Sequence, residues 1–278
     1  MPLKQWKPTN PGRRHGSVDA FTDLTKTEPE KRLIRFRPQQ AGRNSQGKIT
    51  VRHRGGGARR FVRLVDNLRE KYDVPAKVAA IEYDPSRGAR LALLYYRDGE
   101  KRYIIAPQNV AVGESLLSSK KQAEVKPGNR MPLQFIPVGL AVHAIELEPG
   151  AGAKLVRGAG VSAQLLAVEG AYAQLRLPSG ETRLISKQCS ATIGLVSNPD
   201  HRLIRLSLAG RRRHQGIKPT VRGKAMNPVD HPHGGGEGKH PIGLIHPKTP
   251  WGKPALGVKT RDNKKWSNKF IVARRRRK

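Results

Sequence analysis

Short alternations of apolar and polar residues run through the middle of the chain, each bounded by Gly, Pro, Asn or Asp. This period-two pattern predicts strands, because successive side chains on a strand point to opposite faces. The first β-prone runs are residues 49–51, 61–65 and 77–83. Residues 90–97 and 100–105 flank Asp98-Gly99, a pair that predicts a type I′ hairpin in which both turn positions take positive φ. A Pro/Gly-rich join over 126–137 separates this set from a second one. The second set comprises 138–147, 161–168, 172–177 facing 182–185 across Pro178-Ser179-Gly180, and 191–196. Two clusters of short strands predict two small β-barrels in series. No long amphipathic helix interrupts them, and helical turns are expected only within 110–123 and 203–208.

Charge changes the picture at both ends. Residues 1–60 hold 15 basic and 4 acidic side chains, 61–200 hold 18 and 14, and 201–278 hold 21 and 3. The segments thus carry +11, +4 and +18 of a total of +33. A near-balanced centre between basic arms divides the chain into an N-terminal extension (1–41), a first barrel (42–125), a second (126–200) and a C-terminal tail (201–278). The tail also contains ten Gly and seven Pro. It buries too little apolar surface to offset its ordering entropy, so the arms are expected to be solvated or ordered by a partner. Aromatics make up only 5% of the 278 residues, which leaves little material for one large core. So much charge repels itself in an isolated compact state, and a partner dense in negative charge follows; nucleic acid fits best. The single cysteine, Cys189, excludes a disulfide framework or a zinc ribbon and suits a reducing compartment. No apolar run approaches the roughly 18 residues of a membrane helix, and the polar start lacks a secretory signal, so a soluble chain is expected.

Three basic segments carry candidate chemistry. In Gly42 to Phe61, Arg43, Lys48, Arg52, Arg54, Arg59 and Arg60 surround Gly55, Gly56 and Gly57. Glycines let the backbone approach a phosphate and guanidiniums bind its oxygens in pairs; a solvated hairpin loop is the plain alternative. No Walker pattern is present. In Ala209 to Lys224, Arg211, Arg212, Arg213, Lys218, Arg222 and Lys224 are interrupted by Pro and Gly, which suits an extended strand threading between RNA helices better than a membrane helix. Arg274 to Lys278 is a run of cations with little specificity. The third segment, Met226 to Gly238, sets His231 and His233 beside Asp230 and Glu237, with His240 and His246 nearby. It lacks the rigid four-ligand spacing of structural zinc, and an Asp-His pair without a nucleophile or oxyanion hole is a poor catalytic site. Hydrogen bonding of both imidazoles and of the loop backbone to RNA is the favoured reading. Cys189 is expected to be a buried structural thiol, and Tyr95, Tyr96 and Tyr103 barrel residues; Trp251 and Trp266 are placed either to stack on bases or to pack.

The segment MNPVDHPHGGGEG at Met226 to Gly238 resembles the universal large-subunit ribosomal protein L-two family, bacterial or plastid type. The resemblance continues in GRNSQGKITVRHRGGG (Gly42 to Gly57), AAIEYDPSR (Ala79 to Arg87), DGEKRYIIAP (Asp98 to Pro107), LPSGETRLIS (Leu177 to Ser186), ATIGLVSN (Ala191 to Asn198) and TPWG (Thr249 to Gly252). It implies an all-β fold, an OB-type small barrel followed by an SH3-like barrel, with long basic N- and C-terminal extensions. It also implies a structural component of the large ribosomal subunit. Such a component binds large-subunit rRNA early and supports subunit association through an intersubunit bridge, tRNA binding and peptide bond formation. No enzyme activity is implied, although the histidine for which a peptidyltransferase role has been proposed falls on His231. The implied partners are large-subunit rRNA, small-subunit rRNA across the subunit interface and neighbouring ribosomal proteins, with no membrane and no homo-oligomer. No cofactor or metal site is implied beyond Mg held through the rRNA, and the compartment is the bacterial cytoplasm or, alternatively, a plastid. The family's RNA contacts carry over to Arg87 and Arg157 in the barrels, to Arg52, Arg54 and Gly55 to Gly57 in the loop, and to Arg222, Asn227, His231 and Gly234, Gly235 and Gly236 in the tail. Two stretches depart from the pattern: Asn67-Leu68-Arg69 stands where Phe-Lys-Arg is usual, and Arg211-Arg212-Arg213-His214 where Arg-Ser-Arg-Trp is common, with His214 in the place of a stacking tryptophan.

Overall fold

The computed structural model of the chain describes residues 3–275. These divide into two compact units. The first is built from the chain up to Pro38, Arg59–Arg211 and the chain from Lys269 on. In it Leu3–Gln5 (β1) pairs with Ser17–Asp19 (β2), and Ile34–Phe36 (β3) with Phe61–Arg63 (β4). Ala76–Glu82 (β5), Leu91–Tyr96 (β6), Lys101–Ile105 (β7) and Ser115–Leu116 (β8) form an antiparallel sheet in the order β7-β6-β5-β8. The run LALLYY of β6 is apolar at successive positions, so both of its faces are buried. Ala92 and Leu94 meet Val78, Ile104 and Leu116 on one side, while Leu91 and Leu93 meet Ala80 and Tyr103 on the other.

The β6–β7 hairpin forms, but its turn is not type I′. Only Gly99 takes positive φ, at 83°. The Gly99 N–H donates to the Tyr96 carbonyl at 3.0 Å and the Tyr96 N–H to the Glu100 carbonyl at 2.9 Å, giving a three-residue loop closed by a left-handed glycine. A left-handed conformation would cost Asp98, which has a Cβ, about 1–2 kcal/mol; its carboxylate instead accepts the Glu100 N–H at 3.2 Å. The N-terminal extension, expected to be solvated or ordered by a partner, is built into this unit up to Pro38. Asp19 and Asp23 hold Arg90 at 2.6 and 2.7 Å, and the Tyr103 hydroxyl bonds Glu82 and accepts the Glu30 N–H at 2.8 Å. A guanidinium as deeply buried as that of Arg90 requires such carboxylates, and the extension supplies them.

The second barrel contains Arg130–Pro132 (β9), Ala141–His143 (β10), Ile145–Glu146 (β11), Ala153–Leu155 (β12), Ala163–Glu169 (β13), Tyr172–Arg176 (β14), Thr182–Ser186 (β15), Ser190–Ile193 (β16) and Ile271–Ala273 (β17). Its main sheet runs β17-β15-β14-β13-β10-β16-β9 around Leu133, Val142, Leu165, Leu175, Ile185 and Ile193, and β11 pairs separately with β12. The strand expected over 138–147 breaks at Ala144, whose φ of 48° turns the chain from one sheet into the other. Cys189 is fully buried just before β16, and burial pushes its thiol up to about 12. The helical turn expected within 110–123 is replaced by β8, and that within 203–208 by a 3-10 turn at Pro199–Leu203 and a short helix, Ala209–His214 (α1). The fold is all-β, an OB-type barrel followed by an SH3-like barrel.

Two buried arginines, Arg69 and Arg130, lie among residues of both barrels within this unit. Arg69 donates to the Gly128 carbonyl at 2.8 Å and to that of Leu117 at 3.3 Å. Arg130 donates to the Ala144 carbonyl at 3.0 Å and to Glu146 at 2.8 Å. The Glu146 carboxylate also accepts the N–H groups of Gly150, Gly152 and Ser190 at 3.3, 3.2 and 2.9 Å.

The second unit joins Gln39–Ala58 to Arg212–Asn268. The strand expected over 49–51 does not form. Ile49 makes one isolated bridge to Arg43, and Ile49 and Val51 stay exposed, because the run faces no second apolar surface. The pairing lies further on, where Arg54 bridges Ile217. There the Gly55, Ala58 and Lys218 N–H groups donate to the carbonyls of Gly216, His214 and His53, each at 2.9 Å.

Candidate nucleic-acid interface

In the second unit the glycine loop is held by backbone rather than left open. A Cβ on Gly57 would lie 2.8 Å from the Cα and N of Gly216, so this glycine permits two strands to touch. Gly55 is buried with φ 120°, whereas Gly56, at φ 64°, is exposed and has only Arg213 near it, at 3.7 Å. Of the three glycines expected to admit a phosphate, Gly56 alone has its face open. Around this backbone Arg43, Lys48, Arg52, Arg54, Arg212, Arg213, Lys218 and Arg222 are exposed, and none forms an ion pair among the described residues. Lys224 is half-buried. Unpaired guanidinium and ammonium groups on a fixed backbone are the chemistry of phosphate binding.

The histidine loop is tightly packed. His231 and His233 are both buried, with their rings 4.7 Å apart. Nδ1 of His231 accepts the His233 N–H at 3.0 Å, and Nε2 of His233 accepts the Lys248 N–H at 2.8 Å. Each imidazole therefore spends a lone pair on a backbone N–H, His231 within the loop and His233 on Lys248, which leaves the ring proton to the other nitrogen. Burial, with His231, Lys224 and Lys248 nearby, holds His233 below the usual imidazole range. The ring of His231 lies where a Cβ on Gly223 would be, and one on Gly234 would collide with the Asn227 carbonyl. Gly235 and Gly236 take φ of 82° and 77°, and Asn227 accepts the Asp230 N–H at 3.0 Å. A proton-accepting imidazole nitrogen facing solvent is thus missing from this loop. Among the described residues no three His, Cys, Asp or Glu come together as metal ligands.

In the first unit the expected contacts are more often engaged. Arg87 is tied by Nε to the buried Asp84 at 2.7 Å. Arg157 is exposed and reaches Asn67 at 3.5 Å. Arg59 lies over the rings of Phe36 and Phe61, Arg60 donates to the Pro85 carbonyl at 3.3 Å, and Arg211 stacks 3.8 Å from the Trp6 ring. Tyr96 and Tyr103 are buried, Tyr95 lies under Lys101, and Trp251 is exposed in the second unit. Sequence reasoning missed Arg13, whose guanidinium also lies over the Trp6 ring, 5.0 Å from its centroid. Of the C-terminal run, Arg276 to Lys278 lie outside the described residues.

Two small barrels of OB and SH3 type in one unit, and a set of exposed, unpaired cations in the other, are the features of a structural RNA-binding protein. Residues 30–118 match the model for Ribosomal Proteins L2, RNA binding N-terminal domain, and residues 126–252 that for Ribosomal Proteins L2, C-terminal domain. The chain belongs to the ribosomal protein L2 family, and so to the RNA-binding structural proteins of the large ribosomal subunit.

Proposed function

We propose that the chain is a primary binder of large-subunit rRNA whose exposed cations neutralise phosphates and whose His231 loop acts as a rigid scaffold. The observation that carries this reading is the set of exposed, unpaired cations from Arg43 to Arg54 and from Arg212 to Arg222. The barrel contacts are assigned to Arg87 and Arg157, the loop and tail contacts to Gly56 and Asn227 with their basic neighbours. From this position it supports subunit association through contact with small-subunit rRNA, tRNA binding and peptide bond formation, beside neighbouring ribosomal proteins. Mg held by the rRNA shares in the neutralisation, and the ribosome is that of a bacterial cytoplasm, with a plastid as the second setting.

Titration of an rRNA fragment with the purified chain at rising salt tests the electrostatic part. Neutralising about ten phosphates gives a log–log slope near −7 to −9. A flat slope would remove the phosphate-binding account.

A further inference from the structure

The β1–β2 hairpin and residues 202–205 border an open recess of about 560 Å3 in the first unit, within the roughly 300–1,000 Å3 typical of small-ligand pockets. Arg14, His15, Arg202 and Arg205 line it, with Leu3 and Leu203 as its apolar patch. Its backbone is fixed. The Ser17 N–H donates to the Arg205 carbonyl at 3.0 Å, and Ser17 Oγ accepts the Arg205 N–H at 2.8 Å. Gly16 is buried at the base, where a Cβ would lie 2.8 Å from Ser207 Oγ and 3.1 Å from the Trp6 ring.

The side chains above this backbone are uncommitted. Arg14, Arg202 and Arg205 are exposed, and no side-chain hydrogen bond or ion pair engages them. The nearby Asp19 and Asp23 are both taken up by Arg90. Three guanidiniums around one recess with no carboxylate in its lining repel one another, and a bound anion relieves that repulsion. The leucines add what a bare phosphate does not need, an apolar surface for a sugar or base. Arg14, His15 and Leu3 precede residue 30, where the first matched domain begins.

We propose that this recess binds one nucleotide unit, with its phosphate held by Arg14, Arg202 and Arg205 and its nucleoside laid on Leu3 and Leu203. The same chemistry comes from two sources, a nucleotide looped out of rRNA or a free nucleotide. Only the first source rests on the rRNA-binding reading given above.

The test is fluorescence titration of the purified full-length chain with N-methylanthraniloyl-labelled AMP at about 0.15 M ionic strength. The triple variant R14Q/R202Q/R205Q is expected to bind at least about tenfold more weakly. An equal-charge control on exposed arginines of the same unit, R35Q/R37Q/R97Q, is expected to stay within about twofold. All six positions are exposed, so both variants retain the fold. Leu203→Ser is expected to weaken labelled AMP while leaving the affinity for inorganic phosphate unchanged. Equal weakening in the two triple variants would overturn the proposal in favour of net charge alone. Displacement of the label by inorganic phosphate as readily as by AMP would overturn the nucleoside part. Purified large subunits separate the sources. Uptake of labelled AMP by them points to a free nucleotide. Refusal, with an rRNA nucleotide that becomes reactive to chemical probes only in R14Q/R202Q/R205Q subunits, points to the looped-out one. A flat salt slope with rRNA leaves the binding of labelled AMP to the isolated chain unaffected, so the two readings fail separately.

Discussion

Glu146 accepts a guanidinium and three backbone N–H groups while almost wholly buried. Removing one partner of such a buried pair typically costs about 3–5 kcal/mol, so Glu146→Ala is expected to lower the urea midpoint of the full chain by that equivalent. His143 is a second buried group, its Nδ1 placed 2.8 Å from the Gly194 carbonyl. Burial, with Arg69 and Arg130 nearby, pulls it down from 6.5 to about 4. The unfolded imidazole takes up its proton near 6.5 and the folded one only near 4, so its contribution is whole above that range and is lost as pH falls through it. The loss approaches about 3 kcal/mol by pH 4. His143→Gln should flatten the fall in urea midpoint between pH 7 and pH 4, and an unchanged slope would refute the assignment. At His231 the engaged Nδ1 leads to a different expectation. Removing a general base typically costs about 10²–10⁴-fold, whereas His231→Ala in assembled subunits is expected to slow peptide bond formation by less than about tenfold, measured as single-turnover transfer. The sequence marked His231 and His233 as chemically unusual, but not that both lone pairs are spent on backbone N–H groups, since that depends on loop closure. Arg69, visible only as part of a departure from the family pattern, is a buried tie to Gly128 and Leu117.

Elements were legible where punctuation and alternation coincide. Residues 77–83, 90–97 and 100–105 correspond closely to β5, β6 and β7, and 172–177 and 182–185 to β14 and β15, because Gly99 and Gly180 close local turns. The split between β10 and β11 was not legible, since an alanine at φ 48° carries no composition signal. Nor was β17, three residues of the basic tail that pair with β15 from a distance in sequence no pattern reveals. Gly57 gives a prediction at this scale. Gly57→Ala forces 53–58 away from 214–219 without altering any charge. Affinity for an rRNA fragment should fall while the salt slope stays the same, since the slope counts cations and the intercept reports their placement. A changed slope would show that the glycine orders the cations less than the packing implies.

For the molecule as a whole, the charge census located the basic segments but read them as separate arms. Residues 39–58 instead form one unit with 212–268, a pairing too distant in sequence for local pattern to disclose. A net charge of +33 opposes compactness, and a ligand that binds only the folded state stabilises it by mass action. Inorganic polyphosphate is therefore expected to raise the melting temperature of the free chain at constant ionic strength, and a melting temperature independent of it would count against self-repulsion as a significant strain. The chain's one thiol, Cys189, sits in the core of the second barrel with its proton held far above neutrality. An alkylating reagent reaches it only when that barrel opens. The rate of iodoacetamide capture in the native protein is thus a clock for breathing of the second barrel, readable by mass without any added label, free or within the ribosome.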